Sequence, residues 1–333
     1  MSSFFFFVSL HQKFNITRDM KNFCLALFIA FSLMAPSAMA QVKLHFATQQ
    51  EAQEMIVESD AYTEGWGQFD IDCRALHPHA TREQLLSFMQ SQCLDFTPAE
   101  EDSVRSSLNR ILARAEREGY YLPLPDEIVF VKTTMHEEGD ALGYTRRNRI
   151  YLCPNFCEVK NLDRLVSHEL FHILTRNSLA FKKRMYKTID FKLLKESIPF
   201  PQDIIDKRIS NPDISKYDAY TRLTLAGKER PCTMMIYTNK CYIGGSFFDY
   251  IKIGFIPLDR HHRPVVKDGH TVIYPMKACR DFYKKVGFNT GYVINPEECL
   301  ADNFSIVMTR QGNTPLMPTP SLIEAIKKAL RKH

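Results

Sequence analysis

The tightest constraint in this sequence is the pentapeptide His168-Glu169-Leu170-Phe171-His172, set inside an apolar run with helical spacing. Leu162, Leu165, Val166, Leu170, Ile173 and Leu174 recur at the three- and four-residue steps of a buried helix face. Residues four apart on a helix stand about 40° apart around the axis and about 6 Å apart along it. Both imidazoles therefore leave one face and can grip one ion, while Glu169, about 100° further round, stands beside the ion without ligating it. With 11 His in the chain and Glu at about 6% of residues, chance would produce roughly 0.02 such matches, so composition alone does not account for it.

Imidazole and carboxylate donors suit Zn²⁺, and a catalytic zinc takes three protein ligands and keeps a fourth position for water. The extended form of the motif would need Gly at 175 and His at 178; Thr175 and Ser178 stand there, which excludes it. The third ligand is expected at Glu298, in the segment Asn295-Pro296-Glu297-Glu298-Cys299-Leu300-Ala301-Asp302-Asn303. Pro296 suits the first turn of a helix, and on that helix Glu298 and Asp302 are four apart. Glu298 can bind the metal, and Asp302 can accept the free N–H of a metal-bound imidazole and fix its tautomer. Glu297 is the alternative ligand, but it points elsewhere on the helix and has Ala301 four residues on.

H-E-L-F-H followed by E-x-x-x-D at 298–302 resembles the gluzincin, thermolysin-like class of zinc metallopeptidases. The blocks GYTRRNRIYL (143–152), LVSHELFHIL (165–174) and NPEECLADNF (295–304) are also similar to a little-characterised group of exported bacterial zinc metallopeptidases. The resemblance covers about residues 126–310. It implies an α+β, zincin-like fold with the active-site helix against a small sheet that holds Asn148–Leu152. It implies one Zn²⁺ per chain on His168, His172 and Glu298, with Glu169 as general base, Asp302 as orienter and a peptide or protein as substrate. One departure is the step of 126 positions from His172 to Glu298, far longer than in thermolysin-like enzymes. A β-rich insertion at about 215–275, dense in Ile, Tyr, Phe, Val and Thr, is expected to fill it. The Gly-x-Met-Glu-Asn signature of the related aminopeptidases is absent.

The expected reaction is hydrolysis by a zinc-bound water, Glu169 taking the water's proton and passing it to the leaving amine. An oxyanion donor is needed as well. Tyr292, nearest in sequence to Glu298, is the first choice; His270, Tyr144 and Arg147 are the others. Two alternatives stand beside this reading: a zinc amide hydrolase acting on cell-wall peptide, and a non-catalytic, zinc-stabilised exported binding protein.

The N-terminus reads as an address. Met20 and Lys21 precede an apolar run from Phe23 to Met34, which ends in Ala38-Met39-Ala40, a pattern that signal peptidase cuts after. A run of about a dozen residues is short for a permanent span, so no stable membrane anchor is expected after cleavage and the product is expected to be periplasmic or secreted. Residues 1–40 are therefore set apart as extension and signal peptide. A helical region is expected over 41–125, the catalytic domain over 126–310, and a tail with a short helix over 311–333. Within the second region, helices are expected over Thr81–Phe96 and from the capping box at Thr97-Pro98-Ala99-Glu100 to Gly119. The net charge of +5 is spread along the chain and forms no basic stripe, so nucleic acid is not an expected partner. An even set of eight cysteines beyond the signal suggests disulfides. Proximity favours Cys73–Cys93, Cys153–Cys157, Cys232–Cys241 and Cys279–Cys299.

Overall fold

The computed structural model of the protein describes residues 42–214, 216–310 and 317–331. The expected signal peptide, with its cleavage point after Ala40, lies outside the described residues. The architecture is α+β, and the chain from Val42 onward forms one compact unit.

The first sheet has the order β1 (Lys43–Phe46), β3 (Glu127–Thr133), β5 (Arg149–Leu152), β4 (Gly143–Arg146). β1 and β5 run parallel to β3, and β4 returns antiparallel to β5 as an edge. A two-residue β2 (Cys93–Leu94) adds antiparallel to the end of β3. Ile128, Val129, Phe130 and Val131 are all buried, as an interior strand covered on both faces requires. The expected helix over Thr81–Phe96 is therefore shorter, Arg82–Ser91 (α2), because Cys93 leaves it to pair with Thr133. The region 41–125 is correspondingly less separate than its helical pattern implies: it supplies β1 and β2 to this sheet.

Helix α1 (Gln49–Ile56) follows β1. Helix α3 (Pro98–Glu118) begins at the reciprocal Thr97/Glu100 capping box, with Pro98 in its first turn, and stops at Gly119, whose φ of 66° ends the helix in the left-handed region. Helix α4 (Leu162–Asn177) carries the two histidines; Asn161 caps its start and Ser178 both ends it and caps α5 (Leu179–Lys187). Helix α6 (Pro296–Thr309) starts at the Asn295 cap, with Pro296 at its first position. Helix α7 (Pro320–Leu330) docks its apolar face on α5 and α6. A short helix also runs over Phe282–Val286.

α4 packs on α6, on α3 and on the β4–β5 edge of the first sheet. Phe171 of α4 meets Phe181 of α5 at 6.0 Å and Phe304 of α6 at 5.5 Å between ring centroids, which fixes how α4 is rotated against its neighbours. Between α5 and α6 the chain builds a second, wholly antiparallel sheet in the order β12-β9-β8-β7-β6. Its strands are β6 (Lys192–Leu193), β7 (Ala219–Leu225), β8 (Lys228–Tyr237), β9 (Lys252–Pro257) and β12 (Tyr274–Pro275), and a small hairpin, β10 (Val266–Lys267) with β11 (His270–Thr271), stands apart. This is the β-rich insertion read from composition, begun earlier by β6.

None of the four expected disulfides is present; all eight described cysteines are free thiols. Cys157 and Cys241 are exposed while their expected partners Cys153 and Cys232 are buried. Cys73, Cys93 and Cys299 turn their sulfurs to the carbonyls of Asp70, Met89 and Val286. Sequence proximity is a poor guide here: Cys153–Cys157 and Cys232–Cys241 are each split between the interior and the surface, and Cys73 and Cys93 belong to different buried clusters.

Candidate metal centre

The turn of α4 that carries the two histidines faces the first turn of α6. His168 Nε2 lies 3.2 Å from Glu298 Oε2, and His172 Nε2 lies 3.6 Å from that same oxygen. All three donor atoms fall within 4.8 Å of one another. The histidine rings stand 5.0 Å apart between centroids, on one helix face as their spacing dictates. Two donors each 2.0–2.1 Å from a tetrahedral zinc lie about 3.3 Å apart, so the observed separations match that edge closely. His172 Nε2 is buried with no hydrogen-bond partner, a costly state for an imidazole nitrogen unless something else receives its lone pair. The donor set, its spacing and this orphaned nitrogen fit a zinc ion.

Glu169 lies where its helical offset from His168 puts it. Its Oε2 accepts the Thr145 hydroxyl at 2.8 Å from β4. Its Oε1 lies against the backbone of Gly143, where a Cβ would come within 3.2 Å of it. Burial, helped by the nearby Asp213 charge, raises the Glu169 carboxyl to about 7.

Glu297 points away from the donor cluster as its helix position implies, whereas Asp302 does not reach the imidazole that it is expected to orient. Asp302 pairs with Arg164 at 2.9 Å and lies 4.0 Å from His168 Nδ1, beyond hydrogen-bond distance. Glu297 instead sits 3.3 Å from His172 Nδ1, on the side of the ring away from the donor cluster. The hydroxyls of Thr175 and Tyr186 each donate to Glu297 at 2.5 Å. Burial works against the charge on Glu297, but the His172 hydrogen bond and the Lys182 charge outweigh it and hold the carboxyl at about 2.

Of the four candidate oxyanion donors, Tyr292 alone stands at the cluster, its ring 6.1 Å from that of His168. The residue is 41% exposed, but desolvation at its hydroxyl and the nearby carboxylates of Glu298, Asp213, Glu169 and Asp302 keep that hydroxyl protonated. Tyr144 is buried, stacked on Tyr151 and donating to Glu137. Arg147 turns away to Glu58 and the Ser59 carbonyl. His270 is exposed on β11, in the small hairpin outside the cluster.

Two residues at the site carried no sequence signal beyond an Asn-Pro turn dipeptide. Asn211 donates its amide to Glu298 Oε1 at 2.6 Å. Asp213 accepts the Thr145 N–H at 2.6 Å and lies 3.9 Å from His172 Nε2. Asp213, Glu169 and His172 form a second group whose donor atoms lie within 4.8 Å of one another. Both carboxylates of that group are already engaged by Thr145, whereas Glu298 Oε2 faces both imidazoles. The first trio is therefore the better metal cradle. A cleft beside it is lined by Gly143, Asn211, Asp213 and Tyr292, with apolar walls from Ile236 and Phe247 of the β-rich half.

Compared with protein-family models, with curated proteins and with solved structures, the chain finds no match.

Proposed function

We propose that the protein is a zinc-dependent metallopeptidase of zincin-like fold, with His168, His172 and Glu298 as metal ligands. The observation that carries this reading is the convergence of His168 Nε2 and His172 Nε2 on Glu298 Oε2, at 3.2 and 3.6 Å, beside a buried Glu169. Zinc in this cradle would supply a Lewis acid for the scissile carbonyl and a lowered pKa for water.

The chain's own groups then have separate tasks. Glu169 is held at one oxygen by Thr145, and its other oxygen occupies space beside Gly143 that a Cβ there would crowd at 3.2 Å. A carboxylate held there is placed to take a proton from the attacking water and hand it to the leaving amine. The protonated Tyr292 hydroxyl is available as donor to the oxyanion that develops on the substrate. Glu297 orients His172 through Nδ1 so that Nε2 faces the cradle. A peptide is the substrate class this reading implies, and an exported enzyme is what the N-terminal pattern adds to it.

The test is metal content by elemental analysis of the wild type beside His168→Ala, Glu298→Ala and Glu169→Gln, with hydrolysis of a denatured protein substrate in parallel. The expected result is one zinc per chain in the wild type and in Glu169→Gln, little in the other two, and hydrolysis by the wild type alone. A wild type that takes up no zinc would overturn the reading; a Glu169→Gln protein that still hydrolyses would remove Glu169 as base.

A further inference from the structure

Outside the two helices, the strongest unexplained feature is the strap Ile209–Asp213, which leaves the β-rich half and crosses in front of the metal cradle. It is firmly built. Ile209 N–H donates to Ile236 O at 3.0 Å, which ties the strap to β8. Asp70 accepts the Ser210 N–H at 2.9 Å and its hydroxyl at 2.8 Å. Arg74, almost wholly buried, donates to the Ser210 carbonyl at 2.6 Å and is itself paired with Asp70 and Glu138. Arg176 of α4 clamps the Pro212 carbonyl at 2.8 Å and the Thr145 carbonyl at 2.9 Å.

We propose that Asn211, held on this strap, is the positioning residue for the metal ligand Glu298. The inference rests on the zinc reading of the cradle and deepens it. Asn211 Oδ1 accepts the Asp213 N–H at 2.8 Å, so its other terminal atom is the Nδ2 donor that faces Glu298 Oε1 at 2.6 Å. That one bond decides the job of each carboxylate oxygen. Oε1 is occupied by a neutral donor, and Oε2 is left to face the two imidazoles. A carboxylate buried to 1% exposure needs such a donor. A second anionic group there would repel it, and an apolar group would leave Oε1 unpaired and free to turn toward the metal. The strap is anchored by buried charge on one side and by α4 on the other, so Asn211 is presented to Glu298 with its geometry already set. The β-rich half thus completes the cradle that α4 and α6 begin.

The experiment uses two variants, Asn211→Leu and Asn211→Asp, and two probes, Zn²⁺ and Co²⁺. Zinc affinity is measured by competition against a chelator, and the cobalt electronic spectrum reports ligand number and geometry. Orienting partners of metal ligands are typically worth about 10- to 100-fold in affinity. Zinc affinity is expected to fall by about that factor in Asn211→Leu and further in Asn211→Asp, with an altered cobalt spectrum in both. Asn211→Asp keeps the Oδ1 acceptor for the Asp213 N–H, so the strap survives in that variant even where Asn211→Leu fails to fold. Thermal melting within a few degrees of wild type identifies the variant that decides. Unchanged zinc affinity and an unchanged cobalt spectrum in a folded variant, with a wild type that binds zinc, would overturn the positioning role and leave the zinc reading intact. A wild type that binds neither metal would overturn both.

Discussion

Glu297 Oε1 lies 3.3 Å from His172 Nδ1, while the very next residue, Glu298, places Oε2 3.6 Å from Nε2 of the same ring. Two consecutive carboxylates on α6 thus flank one imidazole, Glu297 hydrogen-bonded to Nδ1 and Glu298 facing the unpartnered Nε2. The arrangement works because neighbours on a helix point about 100° apart, and His172 enters between them. Glu297→Gln keeps an acceptor for the ring N–H and should weaken zinc binding mildly. Glu297→Ala should weaken it by about 10- to 100-fold. It also strands the buried Tyr186 hydroxyl, at about 1–3 kcal/mol, while Thr175 keeps the His172 carbonyl as acceptor. Zinc competition and urea unfolding of the two variants read these effects separately.

Gly143 on the edge strand β4 is needed for want of room. A Cβ there would lie 3.0 Å from the Tyr151 carbonyl and 3.2 Å from Glu169 Oε1. Gly143→Ala should push the Glu169 carboxylate aside, leave zinc content at wild-type level and lower kcat by about tenfold or more, the scale of a misplaced general base. Equal kcat in a zinc-loaded variant would show that the contact yields.

Glu137 sits in the interior, where burial raises its carboxyl from 4.5 to about 7. Its Oε2 has no hydrogen-bond partner, while Thr133 and Tyr144 donate to Oε1. The folded protein therefore holds this proton more tightly than the unfolded chain does. The contribution is fully present below about pH 4.5, is lost as pH rises to about 7, and leaves the fold about 3 kcal/mol weaker above that. Urea midpoints of Glu137→Gln and wild type at pH 5 and pH 8 check this. Wild type should lose stability across the interval, and the Gln variant should lose measurably less.

The thiols give a direct chemical count. With Cys157 and Cys241 exposed and six others buried, the thiol reagent DTNB should label about two groups quickly in folded protein prepared without residues 1–40. All eight should react after denaturation without reductant. The buried thiols of Cys73, Cys93, Cys279 and Cys299 are pushed up to about 12, chiefly by burial, which slows them further in the fold. A denatured count of six or fewer would show that disulfides form after all.

Much of the site was legible because its signals are local. His168, Glu169 and His172 lie within one and a half helical turns, and Pro296 with the apolar run after it marks the start of α6, so their spacing translates directly into direction. The extents of α3 and α6 were legible for the same reason, through the Thr97/Glu100 capping box, Gly119 and the Asn295-Pro296 start. The β-rich insertion showed in its composition. The roles of Glu297 and Asp302 were not legible, because helix spacing sets which way each carboxylate points but not how far the facing ring lies from it.

By itself, the sequence determined that one helix offers two imidazoles and a carboxylate, and that a second helix brings acidic groups more than a hundred residues later. Helical periodicity is a property of the local backbone, so that much needs no tertiary contact. Tertiary structure alone decided that Glu298 meets both imidazoles and that Glu297 holds His172 from behind. It also decided that Asp302 pairs with Arg164, that the thiols stay apart, and that Asn211 and Asp213 arrive from the strap. Those outcomes depend on how α4 and α6 are rotated and spaced by Phe171, Phe181 and Phe304, and on where buried Arg74 and Asp70 anchor the strap. Such contacts join residues far apart in the chain, and no local pattern encodes their distance.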